Sequence, residues 1–418
     1  MAAVNRRRVV VTGLGACTSL GFSFEDTWAG LLAGKSGVTP IRRFDPEAYR
    51  TRFAAQVPEF EPARFFDEPM VGKKLDLFTQ FSIIAAEDCL RSSGVELGSL
   101  DLERFGCIMG TGIGGIMAIE SHHAIILERG PRRASPFFIP KMMPNAMSGQ
   151  LSIRYGLQGT NFATSSACAS AGHALGLALR SIQYGEADLM LTGGSEAAVS
   201  TQAVAAFGAM KALSTRNDDP QAACRPFDKD RDGFVMGEGA GVLLIEEREH
   251  ALARGAEILA EFSGYGSTAD AFHITQPKED ASGPSRAIEL ALADAGVARD
   301  QVGYVNAHGT STHFNDLVET RALHNVFKQH ARKLAISSSK SMTGHLLGGS
   351  GAIEACATVM SLHQQRIHAT LNHHAAGEGC DLDYVPGEPR ALDFSHAISN
   401  SLGFGGHNVC LAFSRHEA

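Results

Sequence analysis

The sequence predicts an α/β protein, a largely parallel sheet covered by helices on both faces. Short β-branched apolar runs alternate with longer helical patterns along the chain. At 418 residues the chain exceeds what one ordinary hydrophobic core fills, so two domains or one large duplicated unit are expected. A strand, a turn of small residues and a helix rich in Ala and Gly occur together once in each half.

Taken in order, the first element is the VVVTG run. Its setting, NRRRVVVTGLGACTSLG, has the basic-then-apolar outline of a secretory signal. The run is short and β-branched and ends at Gly13 and Gly15, which fits a strand better than a long apolar helix. A helix follows near 24–34. FGCIMG then reads as a strand with a helix near 115–129, and DLMLTGG as a strand leading into AVAAFGAM. GAGVLLIEE, HAISNSLGFGG and HNVCLAFS read as antiparallel strands joining the sheet, and residues 43–69, rich in Pro, Phe and charge, as an irregular excursion. The internal echo sets NFATSSACASAGHALGLALRSIQYG beside KLAISSSKSMTGHLLGGSGAIEACATVMSLHQQ. Duplication with a pseudo-twofold accounts for it, and so does ordinary βα alternation. The small residues in both helices imply close packing, with the two helices expected against each other in the centre.

Composition narrows the function. A formal net charge of -8 argues against a general nucleic-acid binder, since phosphate binding needs a basic surface. No run of about 18 or more apolar residues is present, so nothing is expected to span a membrane. The eight cysteines are scattered singly, without a CxxC pair or zinc-type spacing, which suits a reducing, cytoplasmic compartment. An organelle stroma or matrix is the alternative if a transit peptide has been removed.

Cys168 lies at the strand-to-helix turn of ATSSACASAG, where first-turn amides and the helix dipole favour thiolate over thiol and can hold an oxyanion. Position alone leaves two readings open, a nucleophile and a buried structural cysteine. His308 in YVNAHGTST lies just after an apolar strand in a turn of small hydroxyl residues, and His345 in SSSKSMTGHLLGG lies in a second, glycine-bordered turn with Lys340 before it. One thiolate with two imidazoles is a set able to accept an acyl group and stabilise a developing enolate. Three lookalikes count for less. GTGIGG at 110–115 matches GxGxxG but lacks a ribose-binding acid after the next strand. DKDRDGFVMGEG begins like a calcium loop but has Gly239 at its twelfth position. The adjacent pairs His122-His123 and His373-His374 diverge on any regular backbone, so they are poor metal ligands.

Together, ATSSACASAG, LSTRNDDPQAACRPFDKDRDGFVMGEGAG, YVNAHGTST, SSSKSMTGHLLGGSGAIEA and SNSLGFGGHN closely resemble the β-ketoacyl-[acyl carrier protein] synthases, nearest the elongating type II group, from Val9 to Phe413. The resemblance implies a thiolase-like duplicated αβαβα layered sandwich with mixed sheets and a pseudo-twofold, usually a homodimer. It implies an N-terminal half, 1–260, carrying the nucleophile, and a C-terminal half, 261–418, carrying both histidines. By the same resemblance, Cys168 would take the acyl chain from acyl carrier protein, and His308 and His345 would assist decarboxylation of malonyl carrier. Lys340 would pair with Glu354, and the amides of Cys168 and Phe404 would form the oxyanion hole. Thr310 and Thr312 would hold the pantetheine, while Ile113 and Phe207 would lie along or beside the acyl pocket. Gly403, Gly405 and Gly406 let the loop bearing Phe404 move. Lys73, Lys74 and Lys211 are candidates for meeting the acidic carrier, with ordinary solvated surface as the competing reading. The resemblance implies no metal or organic cofactor. Leu402, His407 and His313 depart from the common family pattern and leave substrate detail open.

Rival functions remain. A thiolase uses a second cysteine, but Cys410 sits in a strand pattern and the second histidine motif is intact. A polyketide ketosynthase is harder to separate by motif. A noncatalytic chain-length-setting subunit lacks the nucleophile that Cys168 supplies, and a cysteine hydrolase has no CGSCW-type motif here.

Overall fold

In a computed structural model, residues 6–66 and 74–416 are described. They form a ten-stranded sheet from β1 (Val9–Cys17), β2 (Phe105–Gly110), β3 (Asn161–Thr164), β4 (Leu189–Glu196), β5 (Gly239–Glu247), β6 (Ala260–Ala269), β7 (Val302–Asn306), β8 (Ala335–Ser337), β9 (His396–Gly403) and β10 (His407–Ser414). The spatial order is β8-β7-β9-β10-β6-β1-β5-β4-β2-β3. Read outward from the β1–β6 junction, the order 1-5-4-2-3 is repeated as 6-10-9-7-8. The directions repeat as well: β2 is parallel to β3 and β4, as β7 is to β8 and β9. The faint echo in the sequence is thus a complete topological repeat, joined where Val10 and Val11 pair with Glu261 and Ala260.

The expectation of a largely parallel sheet needs correction. Parallel pairing is confined to the outer three strands of each half, and every pairing between them is antiparallel. The reason is connection length: the short turn at 404–406 joins β9 to β10 and can only connect antiparallel neighbours, whereas parallel strands need a crossover.

Alternating side chains then build the layers. Leu243 and Ile245 of β5 face an inner core shared with α3 (Ser170–Gln183) and α7 (Ser350–Gln364). Ala240, Val242 and Leu244 face an outer core under α1 (Leu77–Ser92). In the second half α5 (Ser282–Ala295) and α6 (His313–Phe327) cover the outer face of β7, β9 and β10. The two small-residue helices α3 and α7 do touch each other in the middle layer, as expected. Gly351 of α7 shows why they are small: a Cβ there would meet Gly172 N of α3 at 3.2 Å. Helices α2 (Ile116–Arg129) and α4 (Thr201–Ala209) sit on the first half near the sites predicted for them. No helix among the described residues is long and apolar enough to cross a membrane.

Candidate active site

The nucleophile turn joins β3 to α3. Ala167 has φ +50°, a left-handed conformation that costs a non-glycine residue roughly 1 kcal/mol or more. Local bonds hold it: Ser170 Oγ donates to Ala167 O, and Ser166 N donates to Ser170 Oγ. This turn places Cys168 on the floor of a cavity of about 430 Å³ that His308 and His345 also line. The sulfur and one nitrogen of each imidazole lie within 4.8 Å of one another.

His345 Nε2 is 3.1 Å from Cys168 Sγ, and its Nδ1 is 2.9 Å from Ser350 Oγ. Burial and the Lys340 charge push both histidines well below their usual range, so both rings are neutral. Lys340 is buried, and its ammonium donates to His308 O at 2.6 Å, to His308 Nδ1 at 3.3 Å and to Glu354 Oε1. An ammonium has no lone pair to offer, so His308 Nδ1 is the acceptor and its proton sits on Nε2. The ring is thereby fixed as a donor into the cavity.

Cys168 corrects one expectation. Burial pushes its thiol up to about 12, outweighing Lys340 and the Phe404 N–H, which both lower it. The donor to the sulfur is the amide of Phe404 on the opposite loop, and the resting group is a thiol. Charging it therefore needs a proton acceptor, and His345 is in place. Three N and S donors this close resemble a metal site, but the Lys340 ammonium beside His308 sets a positive charge against a dication.

Phe404 stands between β9 and β10. A Cβ on Gly403 would approach Cys168 N to 3.2 Å, so glycine lets the two amides converge there. Gly405 and Gly406 have φ +82° and +73°, backbone that favours glycine. Ile113 and Phe207 line the cavity and pack on an apolar cluster with Phe234 and Leu347. Thr310 and Thr312 line it too, their hydroxyls 3.0 Å apart, and Thr312 also caps α6. Gly403 borders the cavity; Gly405 does not, its N–H being held by Ile274 O. Lys211 is exposed at the cavity lining, Lys74 is exposed elsewhere, and Lys73 lies outside the described residues.

The lookalikes resolve physically. The GTGIGG amides of Gly112 and Ile113 donate to the buried carboxylate of Glu196, leaving no nest for a pyrophosphate. Asp228 accepts from three backbone amides, those of Asp230, His374 and Ala375.

Two family models divide the chain: "Beta-ketoacyl synthase, N-terminal domain" matches residues 6–251, and "Beta-ketoacyl synthase, C-terminal domain" matches 259–374. The chain belongs to the β-ketoacyl synthase family. A 3-oxoacyl-[acyl-carrier-protein] synthase 2 of Synechocystis is 48% identical over 417 residues, covering 100% of both chains. A β-ketoacyl synthase structure from Burkholderia phymatum is 39% identical with a TM-score of 0.90, covering 98% of this chain and 100% of that one. A type II polyketide ketosynthase structure, in complex with its acyl-carrier protein and bound to a hexaketide, is 33% identical with a TM-score of 0.92, covering 99% and 100%.

This synthase also uses groups that sequence reasoning missed. Glu319 on α6 accepts the N–H groups of His308 and Gly309, both at 2.8 Å, and Asn400 Nδ2 at 3.2 Å. The available signal was a carboxylate at a helix position whose neighbours by period, Leu323 and Val326, are core. Burial pushes Glu319 up to about 7 against those donors. A raised folded pKa means its contribution to stability is full below about pH 4.3 and is lost as the pH climbs through 7, on the order of 3 kcal/mol. Glu319→Gln turns an amide NH₂ toward a backbone N–H and is expected to cost about 1–3 kcal/mol in acid. Because glutamine does not titrate, the gap to wild type should narrow between about pH 5 and about pH 8. Denaturant midpoints at the two values check this, and a constant gap contradicts it.

Proposed function

We propose that this β-ketoacyl synthase is an acyltransferase of fatty-acid elongation: Cys168 takes an acyl chain from acyl carrier protein and condenses it with malonyl carrier. The observation that carries the reading is the neutral His345 Nε2 at 3.1 Å from the Cys168 thiol, beside His308 fixed as a donor. In loading, His345 accepts the thiol proton as sulfur attacks the carrier thioester, and the oxyanion rests on the amides of Cys168 and Phe404. The carrier thiolate leaves with the proton from His345. In condensation, once exchange with water has moved the His345 proton from Nδ1 to Nε2 and Nδ1 accepts from Ser350, His345 Nε2–H and His308 Nε2–H donate to the malonyl thioester oxygen. The C–C bond to the carboxylate breaks, CO₂ leaves, and its electron pair forms the enolate. The enolate carbon attacks the Cys168 thioester, and the sulfur departs as a thiolate that takes up one proton from solvent, the proton the overall condensation consumes. Each turn yields a β-ketoacyl carrier two carbons longer, with no metal or organic cofactor.

Thr310 and Thr312 guide the pantetheine, Ile113 and Phe207 face the acyl chain, and Lys211 and Lys74 meet the acidic carrier. The halves 1–260 and 261–418 act as the two repeats. The enzyme works in the cytoplasm as a homodimer, the dimer supported by edge strand β3 with its exposed Phe162 and by exposed Leu127, Phe137 and Ile139.

A polyketide ketosynthase is the second reading, favoured by the structural likeness to a hexaketide-bound relative. An elongation assay separates them. With malonyl carrier and a series of acyl carriers, fatty-acid synthesis gives one condensation per loaded chain, whereas unreduced products grown by repeated condensation would support the polyketide reading.

A further inference from the structure

The condensation chemistry leaves unexplained a brace of polar side chains under the nucleophile turn. His173, in the first turn of α3, reaches back with Nδ1 2.6 Å from Ser166 Oγ, while its Nε2 lies 2.9 Å from Ser267 Oγ on β6. Ser267 in turn donates to the Tyr265 oxygen. The His173 ring also stands edge-on to His407, 6.2 Å between centroids, and His407 closes the loop that carries Phe404. At the other end of that loop, a Cβ on Gly403 would lie 3.0 Å from Ser166 O. Ser166 therefore sits between the Phe404 loop and His173, next to Ala167 with its left-handed backbone. Burial lowers His173 to about 4, so at working pH the ring is neutral, with one donor and one acceptor nitrogen both engaged by hydroxyls.

We propose that His173 is a positioning residue: through Ser166 it holds the Ala167 turn so that Cys168 Sγ meets both His345 and the Phe404 N–H, and through His407 it keeps the Phe404 loop in register with that turn. The inference rests on Cys168 as nucleophile. A core histidine that only satisfies its own polarity would change stability when replaced and leave the rate per folded molecule alone. A positioning residue changes the rate, because misplacing a reacting atom by about 1 Å costs on the order of a hundredfold.

The test uses the full-length protein and two rates: modification of Cys168 by iodoacetamide, read from the mass of its peptide, and acyl loading from acyl carrier. Ser166→Ala removes one hydroxyl and His173→Leu removes both hydrogen bonds; each is expected to slow both rates about ten- to a hundredfold, with KM for malonyl carrier little changed. His173→Asn puts an amide where Nδ1 was and should restore most of the rate, while His173→Gln, which replaces Nε2, should not. Wild-type rates in Ser166→Ala, or equal rates in the Asn and Gln variants, would overturn the proposal. If His173→Leu does not fold, Ser166→Ala still decides. Iodoacetamide reads the geometry of the thiol alone, so its result stands apart from the nucleophile assignment, which fails if Cys168→Ala still takes up the acyl group or still elongates.

Discussion

Cys168→Ala is expected to give a folded protein that takes up no acyl group and elongates at least about a thousandfold more slowly, with loss of other enzymes' nucleophiles reaching about a millionfold. The polar contacts of the sulfur are His345 Nε2 and the Phe404 N–H, and neither holds the fold together. Stability should therefore change by less than about 1 kcal/mol. Wild type incubated with acyl carrier should gain one acyl mass on the peptide containing Cys168; an undiminished adduct in the alanine variant would sink the assignment. The raised thiol sharpens the test. A thiolate preformed by a helix terminus reacts with iodoacetamide at a rate that levels off near neutral pH. A thiol pushed up to about 12 keeps gaining rate as the pH rises. A plateau near neutrality would show that the loop and helix donors overcome burial.

Cys168 also marks where the sequence stops being informative. Its place ahead of a helix was legible, because β3 and α3 are local patterns bounded by small residues. Its proton affinity was not, because that depends on burial and charge supplied by segments distant in sequence, the turns of His308 and His345 and the Phe404 loop among them. The same division runs through the molecule. The turns bearing His308 and His345 stand out by composition, whereas Glu319, Ser350 and His173 look like ordinary helix residues until tertiary contacts give them partners. In the sheet, strand positions followed from β-branched runs, but direction did not, since β1 and β6 enter the middle of the sheet by pairings between distant segments. The repeat was faint for a related reason: topology is preserved by apolar periodicity, which tolerates nearly complete replacement of residues.

Lys340→Met should produce the second large effect, and it falls on two quantities at once. Glu354 would lose the hydrogen bond to its Oε1 while its Oε2 already has none, leaving a buried carboxylate uncompensated at a cost of about 3–5 kcal/mol. Burial already raises Glu354, and removing the ammonium raises it further. With the folded pKa above the unfolded one, the protonated form is favoured in the native state, so the deficit is smallest in acid and grows as the pH rises above about 4.3. His308 would lose the donor that fixes its proton on Nε2, and condensation should fall about a hundred- to a thousandfold, as when one oxyanion donor is removed. Loading of Cys168 should suffer less, because Lys340 acts on the sulfur only through its charge. The double variant Lys340→Met/Glu354→Leu separates the two effects. Replacing a buried ion pair by apolar groups is often neutral, so stability should return while condensation stays low. Recovery of both would mean that Lys340 serves the fold alone; recovery of neither would mean that Glu354 has a role beyond balancing its charge.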